Sequence, residues 1–250
     1  MGEDLKIYTL AISHHIGGEN IVIHPAVLFD GKEAILVDCG YPQSLPALED
    51  ALWKVDLSFR AVSKLVITHH DHDHVGALAE IEEKYPHVEL FCSDVQLPYV
   101  TGKRKSLRVQ QAEDELLDAS LPDCERDEIQ AIRDYLLTII PAKHATVLRC
   151  GEILPCCGGI EVVDTKGHMP GHISLYVQKL KTLIVGDALV VENGELTSGM
   201  PEAILNMPEA LTSIENLLTY DIEKLICYHG GEYTQNVHDS LVRILKNSKV

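Results

Sequence analysis

One segment of the sequence consists only of side chains that can bind metal ions, and it constrains the chain more than any other feature. Residues 69–74 read His-His-Asp-His-Asp-His. They follow a short apolar run at 64–68, which is predicted to be a strand, and precede a predicted helix at 75–85. Imidazole and carboxylate groups together suit zinc, and also iron or manganese. The segment therefore indicates a metal site, with a solvated polar loop as the alternative.

Three motifs further along the chain place more metal-binding side chains beside predicted strands. They are Gly-His-Met-Pro-Gly-His at 167–172, Gly-Asp at 186–187 and Tyr-His-Gly-Gly at 228–231. Loops at strand ends are held by a rigid sheet and are good positions for ligands. Each motif alone is a weak signal, because a lone Gly-Asp is usually a turn. The ordered set of four favours a metal site over a polar loop.

In this order, the four motifs resemble the signature of the metallo-β-lactamase superfamily. The resemblance runs from Val37-Asp38-Cys39-Gly40 to His229 and so covers most of the chain. It implies an α/β fold, namely an αββα sandwich of two mixed sheets flanked by helices, with the metals at one edge. It also implies two divalent metal ions, Zn²⁺ in the first place and Fe or Mn as alternatives.

The same resemblance assigns a role to each matching residue. It implies seven metal ligands: His69, Asp71, Asp73, His74, His172, Asp187 and His229. Asp187 would bridge the two ions, and Asp73 would be catalytic, because it would both bind metal and orient the nucleophile. Asp38 and His168 match positions that support the ligands without binding metal themselves.

The chain departs from the family signature at its second histidine, where the register places Asp71. His69, Asp71 and Asp73 alternate along the chain, so in an extended loop they project to one side and His70 and His72 to the other. We therefore expect Asp71 to bind metal and its replacement by histidine to be tolerated. We expect His70 to point into the protein and His72 into the pocket or solvent, the alternative being that one of them binds metal.

Alternating strand-like and helical segments predict two packed sheets flanked by helices. The pattern changes at 105–140, a long polar stretch with helical periodicity. No Pro/Gly/Ser-rich linker brackets it, so residues 1–250 are predicted to be a single domain with a helical insertion at about 105–140. One face of the insertion is apolar and contains Ile129, Ile132, Leu136 and Ile139. We expect the insertion to cover the metal edge and to shape specificity.

Composition limits the partners. A net charge of −17 makes the chain a poor candidate for nucleic-acid binding. The sequence lacks an apolar run long enough for a membrane span. Its first residues lack the basic start and apolar core of a signal peptide. Seven scattered cysteines suggest reduced thiols. We expect a cytoplasmic protein with a small-molecule substrate, and a homodimer is left open.

These observations predict a metal-dependent hydrolase that uses a metal-bound hydroxide on an ester, thioester or lactone. The superfamily acts on many substrates, so the resemblance does not fix one. Lactonase-like members carry a tyrosine shortly after the bridging aspartate, whereas Ala188, Leu189 and Val190 follow Asp187 here, which counts against a lactone. A phosphodiesterase, or a di-iron redox or oxygen-handling protein on the same scaffold, stays open as an alternative.

Overall fold

The computed structural model describes residues 5–248, and its main strands form two six-stranded sheets. In spatial order, the first sheet contains β1 (Lys6–Thr9), β4 (Ala26–Phe29), β5 (Ala34–Val37), β6 (Val62–Val66), β7 (Glu89–Ser93) and β8 (Thr146–Leu148). The second contains β16 (Gly231–Tyr233), β15 (Lys224–Cys227), β12 (Thr182–Gly186), β11 (Ile173–Val177), β10 (Ile160–Asp164) and β9 (Ile153–Leu154). Two hairpins lie outside the sheets: β2 (Ile12–Ile16) with β3 (Glu19–Ile23), and β13 (Val190–Glu192) with β14 (Glu195–Thr197).

Both sheets are mixed. In the first, β1, β4 and β5 pair antiparallel and β5 to β8 pair parallel. In the second, β12 pairs parallel with β15 and the other pairs are antiparallel. The helices are α1 (Leu45–Trp53), α2 (His72–Val75), α3 (Leu78–Lys84), α4 (Leu97–Val100), α5 (Leu107–Glu115), α6 (Asp123–Leu136), α7 (Met207–Leu217) and α8 (Val237–Asn247). Single 3₁₀ turns occur at Gln178–Leu180 and Pro201–Ala203.

The alternation of side chains along the strands builds four layers. In β5, Ile35 and Val37 pack with the inner residues of the second sheet, while Leu36 packs against α1 and α3. In β12, Ile184 faces the first sheet, and Leu183 packs against α7 and α8. The result is the predicted αββα sandwich, with one apolar core between the sheets and one under each helical layer.

Strand direction brings the predicted site residues to one edge. Parallel pairing of β5 with β6, and of β12 with β15, puts the carboxyl ends of each pair together. The two edges meet there, because the amide of Ile173 donates a hydrogen bond to the carbonyl of Thr68, and Ile23 forms a β-bridge with His229. The four motifs therefore converge although they are far apart in the sequence.

Prolines divide two segments that read as continuous in the sequence. A single strand is predicted at 20–28, but Pro25 separates β3 from β4. The insertion consists of two helices, α5 and α6, and Pro122 precedes the first turn of α6. Among the described residues, no helix is long and apolar enough to cross a membrane.

Candidate metal centre

Asp38 anchors the loop that contains most of the predicted ligands. Its carboxylate accepts hydrogen bonds from the amide and the hydroxyl of Thr68, each at 2.9 Å, and lies 2.9 Å from Nδ1 of His74. The Thr68 hydroxyl in turn lies 3.0 Å from Nδ1 of His69. Because both imidazoles are held through Nδ1, their Nε2 atoms remain free to face the site. Asp38 thus contacts one predicted ligand, His74, directly and another, His69, through Thr68.

Two groups of potential ligands lie side by side at the sheet edge. In each group, the nitrogen and oxygen atoms are all within 4.8 Å of one another. One group consists of Asp73, His74, Asp187 and His229, and the other of His69, Asp71 and His168. Asp187 also faces the second group, since its Oδ2 lies 3.8 Å from Nε2 of His168 and 4.0 Å from Nε2 of His69. Its carboxylate therefore lies between the two groups.

In the first group, imidazoles alternate with carboxylates. Nε2 of His229 lies 3.1 Å from Oδ2 of Asp73 and 3.5 Å from Oδ2 of Asp187. Nε2 of His74 lies 3.4 Å from Oδ1 of Asp187. The Tyr228 hydroxyl donates a 2.5 Å hydrogen bond to the backbone carbonyl of Asp73, which fixes the turn that presents this carboxylate.

In the second group, Asp71 is the central residue. Its Oδ2 lies 3.3 Å from Nε2 of His69 and 3.1 Å from Nε2 of His168. The other side of the carboxylate faces Arg108 from α5, whose Nε lies 3.0 Å from Oδ1 and whose terminal nitrogen lies 2.9 Å from Oδ2. Sequence reasoning missed Arg108. The only signal was the aspartate in place of histidine, which adds a negative charge that needs a partner.

The contacts of His168 and His172 point to an exchange of the roles that the sequence assigns to them. His168 contributes Nε2 to the second group, whereas His172 makes hydrogen bonds through both ring nitrogens. Its Nε2 accepts the backbone N–H of Asp187 at 3.1 Å, and its Nδ1 lies 2.9 Å from the Thr165 hydroxyl. This geometry favours His168 as the ligand and gives His172 the task of positioning Asp187, the reverse of the sequence interpretation.

Gly186 makes the approach of His172 possible. A Cβ atom at this position would lie 2.7 Å from Nε2 of His172, too close for any other residue, and the backbone φ of +55° is also in the left-handed region. The Gly-Asp motif therefore combines a residue that leaves room for an imidazole with the carboxylate that this imidazole positions.

The two remaining histidines of residues 69–74, here called the metal loop, point away from the two groups of ligands. His70 lies 2.6 Å from the Gln96 side chain through Nδ1, and its Nε2 accepts the backbone N–H of Leu107 at 3.2 Å. His72 lies between the rings of Tyr41 and Tyr135 and lines the cavity beside Asp71. Both orientations agree with the alternation argument, in which His70 points into the protein and His72 into the pocket.

The electrostatics of the cluster suit a cation. Burial opposes protonation of His229, but the charges of Asp187 and Asp73 raise its pKa to about 10. Burial, reinforced by the nearby His74, lowers the pKa of His69 to about 4. Burial would raise the pKa of Asp71, but the neighbouring imidazoles of His168 and His69 hold it well below its usual range. The charged carboxylates of Asp187 and Asp73 attract a proton onto His229, and they would attract a metal cation in the same way.

Buried polar atoms without partners provide a test of whether a metal fits. Within residues 5–248, four buried side-chain atoms have no hydrogen-bond partner: Nδ1 of His72 lies outside the two groups, and the other three are Nε2 of His69, Nε2 of His74 and Oδ1 of Asp187. Buried polar atoms are normally paired, because leaving them unpaired costs about 1–3 kcal/mol each. The last three belong to the potential ligand set, and imidazole nitrogen with carboxylate oxygen is a donor set for zinc, iron or manganese. The residues therefore fit divalent metal ions.

The exchange of roles between His168 and His172 leads to a direct comparison of two variants. His168→Gln is expected to lose one equivalent of metal. His172→Gln is expected to keep both equivalents at saturating metal but to unfold more easily, by about 1–3 kcal/mol, because a buried hydrogen-bond pair is lost. Metal analysis after dialysis, together with thermal unfolding, measures both effects. Loss of metal from His172→Gln alone would restore the assignment made from the sequence.

The fold and the cluster together define an α/β sandwich protein with a histidine and aspartate metal site at its sheet edge. A model of the metallo-beta-lactamase superfamily matches residues 21–229. The chain is 27% identical over 215 residues to a probable metallo-hydrolase, YflN, of Bacillus subtilis, which covers 78% of this chain and 75% of that protein. The solved structure of a metallo-beta-lactamase family protein from Thermus thermophilus superposes with a TM-score of 0.76, 21% identity and coverage of 97% of this chain and 79% of the other.

The chain belongs to the metallo-β-lactamase superfamily, because the family match extends over most of its length. It is also 24% identical over 171 residues to a hydroxyacylglutathione hydrolase from Synechococcus, a match that covers 68% of this chain and 49% of that protein. The chain thus spans about half the length of this relative.

Proposed function

We propose that the protein is a metal-dependent hydrolase that cleaves a small ester or thioester with an apolar acyl group. The observation that carries this proposal is the position of Asp187 between two groups of ligand atoms, with each group next to an apolar cavity. One divalent ion would be held by Asp73, His74, Asp187 and His229. The other would be held by His69, Asp71, His168 and the shared Asp187.

Metal ions in such a site lower the pKa of water and polarise a carbonyl oxygen, which is the chemistry that ester and thioester hydrolysis requires. The chain's own residues supply position and charge. Asp73 lies 3.1 Å from His229, on a backbone turn fixed by Tyr228, so its carboxylate is held at the entrance of the site. His229 is the most exposed of the ligands and marks the side that is open to a substrate.

Two cavities border the cluster, and both have mainly apolar walls. The first, of about 460 Å³, lies between the metal loop, the β2–β3 hairpin and the insertion; its apolar lining contains Ile16, Ala112, Ile129, Ile132 and Leu136. The second, of about 300 Å³, lies beside β13; its apolar lining contains Ile21, Val190, Val191, Met200 and Ile204. The first cavity reaches Asp71, and the second reaches Asp187 and His229. A substrate whose reacting group lies over the cluster can therefore place one apolar part in each cavity.

The relatives support the same reaction type. One is named a probable metallo-hydrolase, and another is named for the hydrolysis of hydroxyacylglutathione, which is a thioester. Phosphodiesters have less support, because the arginine at the cluster and a lysine near it are already engaged. Arg108 pairs with Asp71, and Lys105 pairs with Glu113. The net charge of −17 also disfavours polyanionic substrates.

A hydrolysis screen tests this proposal. Protein loaded with Zn²⁺, Mn²⁺ or Fe²⁺ is assayed with p-nitrophenyl esters and acyl thioesters of increasing chain length, and with bis-p-nitrophenyl phosphate. We expect ester or thioester turnover that depends on metal and improves as the acyl chain lengthens from acetyl. Phosphodiester turnover without any ester or thioester turnover would contradict the proposal.

The first cavity leads to a prediction about chain-length preference. Ile132 lies on α6 in the cavity wall and is 56% exposed, so Ile132→Asp should leave the fold intact. We expect KM for long-chain acyl substrates to rise about 10-fold, because apolar contact is lost, while acetyl substrates and metal content stay unchanged. Leu117→Asp is the matched control, since Leu117 is in the same insertion, is 81% exposed and does not line the cavity. Equal effects in both variants would mean that this cavity does not bind the acyl group.

A further inference from the structure

The Asp71–Arg108 pair differs from the surface ion pairs of this protein. The Asp71 side chain is 10% exposed and that of Arg108 is 14% exposed, so both charges are largely removed from water. The guanidinium contacts both carboxylate oxygens, and its terminal nitrogen also donates to the carbonyl of Ala203 at 2.8 Å. Two buried charges in such a geometry depend on each other, because removing one leaves the other uncompensated.

The pair also lies at the metal cluster. The carboxylate oxygen that accepts from the terminal nitrogen of Arg108 is the one that faces His69 and His168, and this nitrogen lies 3.3 Å from Nε2 of His168. Oδ1 of Asp71, in contrast, contacts Nε of Arg108 and neither imidazole. Nε of Arg108 also lies 3.2 Å from Oδ2, so the guanidinium contacts both oxygens and holds the carboxylate with Oδ2 towards the ligand nitrogens.

We infer that Arg108 is a positioning residue that stays paired with Asp71 when metal is bound, so that the two residues together replace a neutral ligand. Asp71 alone would add a negative charge to a cluster that already contains Asp73 and Asp187. The guanidinium cancels this charge and orients the carboxylate. This inference rests on the proposed metal site but not on the identity of the substrate.

The inference changes what is expected of substitutions at position 71. From the sequence, a histidine at this position is expected to be tolerated. In the structure, Asp71→His would leave a buried guanidinium without its carboxylate, beside two other imidazoles and a divalent cation. A cation in this position repels metal. A substitution that removes the charge of Asp71 should therefore be tolerated only together with one that removes the charge of Arg108.

The test measures metal binding without substrate. Asp71→His, Arg108→Gln and the double variant are titrated with Co²⁺ against a competing chelator, and the visible spectrum and the number of bound equivalents are recorded. We expect Asp71→His to bind the metal at this group about 10- to 100-fold more weakly than wild type. We expect the double variant to regain both the affinity and a second spectral component. Combining Asp71→His with Arg133→Gln, which removes a half-buried arginine of the same insertion that pairs with Asp134, should give no recovery.

A second pair of variants covers failure of the histidine variant to fold, as judged by circular dichroism. Asp71→Asn keeps the shape of the side chain and removes only its charge, so Arg108→Gln should partly restore the metal binding that Asp71→Asn loses. Wild-type affinity in Asp71→His, or no recovery in either double variant, would overturn the inference. Absence of Co²⁺ binding by the wild-type protein would instead contradict the proposed function, so the two failures are distinguishable.

Discussion

Asp73→Asn is expected to abolish hydrolysis while the fold survives. The carboxylate lies 3.1 Å from His229 and 3.7 Å from His74, where an amide has the same shape but no charge. The charge of the Asp73 carboxylate would both hold a metal ion and orient the reacting groups in the transition state. We therefore expect its removal to lower kcat about 10³-fold or more. The measurement is turnover of the best ester or thioester at saturating metal.

The control for this variant is Asp239→Asn, an exposed aspartate on α8 that belongs to neither group of ligands. It should have wild-type turnover, and both variants should give wild-type circular dichroism spectra. Turnover by Asp73→Asn within a few-fold of wild type would show that another residue performs this role.

Asp187→Asn should have the largest effect on metal content, because this carboxylate is shared. Its Oδ1 lies 3.4 Å from His74, and its Oδ2 lies 3.5 Å from His229 and 3.8 Å from His168. We expect the wild-type protein to bind two equivalents and the variant to retain less than one under the same conditions. Metal at about 1,000 times its Kd stabilises a folded protein by about 4 kcal/mol per site, so addition of metal should raise the Tm of the wild type far more than that of the variant.

The control for the shared carboxylate is Asp221→Asn, since Asp221 is exposed and pairs only with a surface lysine. A wild-type protein that saturates at a single equivalent would contradict the dinuclear arrangement. A variant that keeps both equivalents would show that Asp187 does not connect the two groups.

The sequence predicts most of the fold because its signals are local. The apolar run at 64–68 predicts a strand that overlaps β6, and the helical periodicity of 105–140 predicts an insertion that contains α5 and α6. Pattern alone did not locate the breaks at Pro25 and between α5 and α6, because apolar residues lie on both sides of each break in the sequence. The resemblance of the four ordered motifs to the family signature implied the αββα sandwich, which the structure and the comparisons confirm.

The site was predicted less completely, for a physical reason. His168 and His172 belong to one motif, and which of them faces the metal depends on a contact with Asp187 that lies 15 residues from His172 along the chain. Arg108 pairs with Asp71 across 37 residues, so only the docking of α5 reveals the pair. His70 and His72, in contrast, followed from simple alternation within one loop. Local geometry can be predicted from spacing, whereas partners brought together by tertiary packing cannot.

The attachment of the insertion to the metal loop has a consequence for how fast ions exchange. Two neighbouring residues of that loop hold the first turn of α5: His70 accepts the N–H of Leu107, and Asp71 holds the guanidinium of Arg108. Detaching α5 breaks both contacts together, because they lie on adjacent residues of each segment. If a metal ion at the Asp71 group can leave only after α5 detaches, the ion dissociates slowly. This holds even when the equilibrium affinity of the site for that metal is weak. The residence time of a metal ion bound there would then depend on the insertion as much as on the ligands.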